Sequence, residues 1–220
     1  MVKAVIFDMD GLMFDTERLS NLAWAETGQK TGHPEITEEF MNQFIGSNLR
    51  ATRETFLRTF GEDFPFDELR AMRVKFVEDY VAEHGLPVKP GLYELIDFIK
   101  KQRLPMALAT STAEAKTREN LKMAGIEGVF DAMVCGDQVA RSKPEPDIFL
   151  RAAELLGAAP EACLVLEDSL NGITAAYRAG MMPVMVPDLI PPTVEIEAML
   201  FHKCNTLSDV IPLLERELSK

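Results

Sequence analysis

The sequence predicts an α/β protein in which a doubly wound parallel sheet is interrupted after its first strand by an all-helical insert. Three observations predict it. Short apolar runs recur at KAVIFD, PMALAT, AMVCG, CLVLED and PVMVP. Helical patterns sit between them. Residues 16–87 break that rhythm with helical patterns and no convincing strand.

KAVIFD is β-branched, apolar and ends in Asp8. A strand covered on both faces shows such an unbroken run rather than alternation, so it reads as a buried parallel strand. The insert follows. TERLSNLAWAETG and LRATRETFLRTF read as helices, and in FDELRAMRVKFVEDYVAEHG Leu69, Met72, Phe76 and Tyr80 recur at helical spacing. Trp24, with Leu19 and Leu22, suits the insert's own core, and Leu12, Met13 and Phe14 suit packing at a hinge. The joints fall near Phe14–Glu17 and Leu86–Pro90, giving a core of residues 1–15 and 88–220 and an insert of 16–87.

Beyond the insert, Leu92, Leu95, Ile96 and Ile99 share one helix face, with Pro90 and Gly91 marking its start. Ile148, Ala152, Leu155 and Leu156 do the same, and Gly157 suits the C-terminal cap. LSDVIPLLERELSK reads as a closing helix disturbed by Pro212. Strands alternating with helices imply right-handed crossovers and a doubly wound sheet.

The 220 residues carry a formal net charge of −12. That argues against nucleic acid or an anionic membrane as partner, because phosphate backbones need a basic surface. The three cysteines, Cys135, Cys163 and Cys204, lack metal-ligand spacing and read as reduced, buried thiols. The initial apolar run is too short for a secretory signal, and no stretch reaches the ~20 apolar residues of a membrane span. The expectation is a cytoplasmic monomer acting on a small metabolite.

Ligands of an open α/β sheet bind outside the carboxyl ends of its strands. Asp8 sits there, and Asp10 follows in DMDG, where Gly11 permits a sharp turn. Two nearby carboxylates resist ionising together unless a cation compensates, and magnesium favours such oxygen ligands. ALATST brings Thr110 and Ser111 to a second strand end, as holders of phosphoryl oxygens or as helix N-caps. Lys143 in RSKPEPD is either a solvated charge or a neutraliser of phosphate and nucleophile. LVLEDSLNG ends a further apolar strand in Glu167 and Asp168.

Four segments, FDMDGLMFDT, ATST, SKPEPD and LEDSLNGITAAYRAGM, stand in an order that resembles the haloacid dehalogenase superfamily, in its phosphatase and phosphomutase branch. The insert resembles the small helical cap of the beta-phosphoglucomutase-like subfamily. The resemblance implies a Rossmann-like core and a magnesium-dependent phosphotransferase. It makes Asp8 the covalent nucleophile and Asp10 the acid and base. It assigns Mg2+ to the Asp8 side chain, the Asp10 backbone carbonyl and Asp168, with Glu167 holding a metal-bound water. It gives Thr110 and Lys143 catalytic contacts to phosphoryl oxygens. Gly172 and Ala175–Ala176 match its closely packed small residues.

The same subfamily contains mutases. They resemble this chain but carry His where it has Ser20, and Lys and Asn where it has Ala113 and Glu114. Phosphomonoester hydrolysis is therefore the expected reaction, with a phosphohexose mutase as the alternative. The loop GSNLR, with Ser47 and Arg50, is the expected sampler of the leaving group. A binding protein that lost turnover and a metal-free dehalogenase are further readings. The intact acids and Lys143 argue against both.

Overall fold

The computed structural model describes residues 1–45 and 49–220. Ser47, expected to sample the leaving group, lies outside them. The strands β1 (Ala4–Phe7), β2 (Met106–Thr110), β3 (Ala132–Cys135), β4 (Cys163–Glu167), β5 (Met182–Met185) and β6 (His202–Lys203) form one sheet in the order β3-β2-β1-β4-β5-β6. Every pairing is parallel. From β1 the chain builds outward to β3 and then returns to the other side of β1. The winding therefore reverses between β1 and β4, which is where such sheets open a crevice at their carboxyl edge.

Unbroken apolar runs become central strands because both faces are covered. Ala4, Ile6, Ala107, Ala109, Cys163 and Val165 face one layer together with Ile148 and Phe149. The alternate residues Val5, Phe7, Leu108, Leu164 and Leu166 are just as fully buried. Strand side chains alternate in direction, so burial of both sets requires cover on both sides. The fold is the expected α/β doubly wound sheet.

The helices are α1 (Thr16–Thr31), α2 (Glu38–Asn42), α3 (Leu49–Phe60), α4 (Phe66–His84), α5 (Leu92–Lys101), α6 (Glu114–Met123), α7 (Asp147–Leu156), α8 (Leu170–Arg178), α9 (Val194–Glu197) and α10 (Val210–Leu218). Two compact units result, one of Met1–Phe14 with Val88–Lys220 and one of Asp15–Pro87. The second unit is built from α1 to α4. Its core is aromatic: Phe56 is fully buried, with ring centroids 5.1 Å from Trp24 and 5.1 Å from Phe66.

Some local details differ from the sequence reading. Leu155 is 47% exposed, because α7 turns Ile148, Phe149, Ala152 and Ala153 inward instead. Met72 is 43% exposed while Leu69 is buried. Pro212 does not disturb α10, since it sits in the first turn, where a backbone N–H would lack a helical acceptor anyway. Helix α6 was not apparent because EAKTRENLKM is mostly polar and buries Thr117, Asn120 and Leu121.

At the break between the units the two chain segments are paired. Phe14 bridges Val88 in antiparallel fashion, and Lys89 N–H donates to Met13 C=O at 2.9 Å. Asp15 N–H donates to Pro87 C=O at 2.9 Å. Lys89 also forms an ion pair with Asp188 at 2.7 Å, anchoring this segment to the loop after β5.

Candidate active site

The register of the sheet delivers the polar residues. Phe7 pairs with Leu166, so Asp8 and Glu167 emerge at adjoining strand ends, and Asp8 N–H donates to Leu166 C=O at 3.0 Å. Thr110 ends β2 on the other side of β1. Gly11 then turns the chain at φ 85°, and its N–H donates to Phe14 C=O at 2.9 Å. No side chain fits there: a Cβ on Gly11 would run into the Asp168 carboxylate.

Lys143 reaches into this edge from the segment before α7, with its side chain only 5% exposed. Its ammonium donates to Asp8 Oδ1 at 2.5 Å, Glu167 Oε1 at 2.7 Å and Ala109 C=O at 3.1 Å. All three donors of the ammonium are thereby used. The Phe149 ring lies 4.9 Å from the nitrogen, a favourable cation–π distance. Glu167 in turn accepts from Ser169 N–H at 2.8 Å and Ser169 Oγ at 3.0 Å. A Cβ on Gly172 would overlap the Glu167 carboxylate, so the start of α8 closes directly onto it.

Asp8, Glu167 and Asp168 are buried, and each offers an oxygen within 4.8 Å of the others. Three carboxylates and one ammonium leave a formal charge of −2, which a divalent cation would balance. The donors are all hard oxygens, the kind magnesium selects. Gly11 keeps the space beside Asp168 clear of any Cβ. The residues present therefore fit such an ion.

The electrostatics follow from burial. Desolvation pushes the Asp8 carboxyl up to about 8, with Lys143 opposing and Glu167 and Asp10 reinforcing the rise. Burial would depress Lys143, but Asp8 and Glu167 outweigh it and hold the ammonium well above the ordinary lysine range. Lysine thus stays charged at any physiological pH, while Asp8 needs a further cation to ionise fully.

Asp10 is held differently. Its Oδ2 accepts from Thr112 Oγ1 at 2.7 Å, and Thr110 Oγ1 lies 3.5 Å from the same oxygen. Of the residues expected to form the site, Asp8, Asp10, Thr110, Lys143, Glu167 and Asp168 converge on one sheet edge. Ser111 follows Thr110 there and is exposed. Arg50 belongs to the helical unit, where it pairs with Glu54 at 2.8 Å and its side chain is 88% exposed. Thr112 and Ser169 were not anticipated. Thr112 lies inside the ATST segment, and Ser169 directly follows the Glu167–Asp168 pair.

Residues 2–180 match the family described as haloacid dehalogenase-like hydrolase. The chain belongs to this family. It is an enzyme of the hydrolase class. Over 180 residues it is 36% identical to a phosphorylated carbohydrates phosphatase of Thermotoga maritima, covering 82% of each chain. It is 28% identical over 201 residues to hexitol phosphatase A of Escherichia coli, covering 90% of each. Among solved structures, CbbY from Rhodobacter sphaeroides in complex with phosphate is similar at TM-score 0.77 and 27% identity, over 96% of both chains. A beta-phosphoglucomutase from Clostridium difficile, at TM-score 0.79 and 22% identity over 99% of this chain and 96% of that one, shares the fold. This haloacid dehalogenase-like hydrolase thus stands beside beta-phosphoglucomutase-like and CbbY-type proteins.

Proposed function

We propose that this hydrolase is a magnesium-dependent phosphatase that cleaves a small phosphomonoester, a sugar or sugar-alcohol phosphate, through an aspartyl-phosphate on Asp8. The observation that carries the reading is the buried constellation of Asp8, Lys143, Glu167 and Asp168 at the switch point of the sheet. Two of its relatives, named a phosphorylated carbohydrates phosphatase and a hexitol phosphatase, support a substrate of the sugar or sugar-alcohol phosphate class.

Asp8 attacks phosphorus, the bond to the leaving oxygen breaks, and Asp10 gives that oxygen a proton. Asp10, now a carboxylate, takes a proton from water. The water oxygen bonds to phosphorus, the bond to Asp8 breaks and phosphate departs. One acid/base group serves both halves because the second half reverses the proton demand of the first. Lys143 and Thr110 hold phosphoryl oxygens as charge redistributes, and Ser111 adds a backbone donor. Asp8, Asp168 and the Asp10 backbone carbonyl would hold Mg2+, which supplies positive charge against the phosphoryl oxygens when bound. Glu167 contributes charge to that shell and fixes Lys143. The helical unit is assigned the role of a cap, with Ser47 and Arg50 as leaving-group contacts. The three free, buried cysteines suit a reducing compartment, and we assign the enzyme to the cytoplasm.

A mutase would have to welcome a second phosphate. Glu114 instead places a carboxylate at the start of α6, paired with Arg118 and with Gln138 at 2.8 Å. The Asp137 carboxylate already accepts from Glu114 N–H at 3.2 Å. This negative edge supports hydrolysis over isomerisation. The test is a panel of phosphate monoesters with magnesium, including beta-glucose 1-phosphate with its bisphosphate activator. Release of inorganic phosphate from sugar phosphates is expected. Conversion of beta-glucose 1-phosphate to glucose 6-phosphate without phosphate release would overturn it.

A further inference from the structure

The hydroxyl of Thr112 is aimed by a backbone held through both its N–H and its C=O. Thr112 N–H donates to Thr110 Oγ1 at 3.1 Å, and its C=O accepts from Gly136 N–H at 3.0 Å. Gly136 has to be glycine for this approach, since a Cβ there would strike the Ser111 carbonyl. The turn after β2 is thus tied to the start of the turn after β3, and the hydroxyl that it carries meets Asp10 Oδ2 at 2.7 Å. Asp10 itself lies outside the ladder of the sheet, its backbone in an isolated bridge with Phe14. The bridge fixes the backbone but leaves the side-chain torsions of Asp10, which a short hydrogen bond from a fixed donor restricts.

We infer that Thr112 is a positioning residue for proton transfer by Asp10: its hydroxyl fixes the plane of the carboxylate so that the proton meets the leaving oxygen. The inference rests on the phosphatase reading above and adds to it a residue that touches neither phosphorus nor metal. Its signature is a dependence on the leaving group. An alkoxide of a sugar needs a proton as it departs, whereas p-nitrophenolate leaves with far less help. A misaimed Asp10 therefore slows the first half-reaction more as the leaving group becomes more basic.

The experiment measures kcat/KM with magnesium across aryl and alkyl monophosphates of increasing leaving-group basicity, for wild type, Thr112→Val, Thr112→Ala and Thr112→Ser. For Thr112→Val and Thr112→Ala, kcat/KM falls roughly 10²-fold on alkyl phosphates and only several-fold on p-nitrophenyl phosphate. Thr112→Ser restores the wild-type slope because it keeps the hydroxyl. A uniform loss across the series, or a serine variant as steep as valine, overturns the inference while wild-type turnover keeps the phosphatase reading intact. Absence of phosphate release by wild type from every ester removes that reading and this inference with it.

Discussion

Glu167 Oε1 accepts from Lys143 Nζ at 2.7 Å, between side chains that are 1% and 5% exposed. The other Glu167 oxygen is taken by Ser169. Glu167→Ala would take one of two carboxylates from the buried ammonium and leave Asp8 to pair it alone, so the cost should stay below the ~3–5 kcal/mol of a buried pair broken outright. The urea midpoint should drop accordingly and turnover should fall by roughly 10² or more as Lys143 loses its aim. Glu167→Gln should cost less on both measures. Gly172→Ala should mimic the loss, because its methyl group needs the space of the carboxylate.

Asp8→Asn is expected to abolish turnover and phosphoenzyme formation without unfolding the protein. It also carries a pH signature. Burial holds the folded carboxyl at about 8 against 3.8 for an ordinary aspartate. A raised carboxyl contributes its stability fully below the unfolded value and loses it as pH rises through the folded value. Metal-free wild type should therefore lose stability relative to Asp8→Asn between about pH 4 and pH 8. Urea unfolding of both proteins in EDTA measures the difference.

Removal of magnesium by EDTA should stop turnover, and added magnesium should restore it. The ion should also raise the unfolding temperature, since a ligand at 100 times its Kd stabilises by about 2.7 kcal/mol. A proton on Asp8 competes with the ion, so affinity should tighten as pH rises towards about 8. Calorimetry in buffers of different ionisation enthalpy should register the released proton. Asp168→Asn should lose both the thermal shift and the activity.

The cysteines offer an independent check on the core. Burial raises Cys163 and Cys204 to about 11 and lifts Cys135 as well. The thiolate is the reactive form, so the native protein should resist a thiol-specific disulfide reagent at about pH 8 and react fully only when unfolded. Because these values are raised, their stabilising share is complete below the unfolded value of 9.0 and is lost as pH climbs towards 11. Denaturation midpoints measured across that interval should decline.

Much of the site was legible because its code is local. An unbroken apolar run that stops at an acid announces both a central strand and the residue at its functional end. Asp8, Glu167 and Asp168 follow from this. Thr112 does not, because its use depends on contact with Asp10, 102 residues away in sequence. The double engagement of Glu167 was equally hidden: it needs Lys143 to arrive from another crossover and Ser169 to curl back at the cap of α8. Helix α6 is hidden for the opposite reason, since a helix lying mostly in water has little apolar periodicity to read. Leu155 shows the limit of periodicity, which finds a helix but can misplace the centre of its buried stripe by a residue.

The paired segments at Phe14 and Val88 have an evolutionary reach of their own. A module that leaves and rejoins its host through adjacent backbone strands can be shortened, enlarged or exchanged as a cassette, while the host's strand order goes untouched. Here the splice lies four residues downstream of Asp10, so a new module inherits finished chemistry and needs to bring only its preferences.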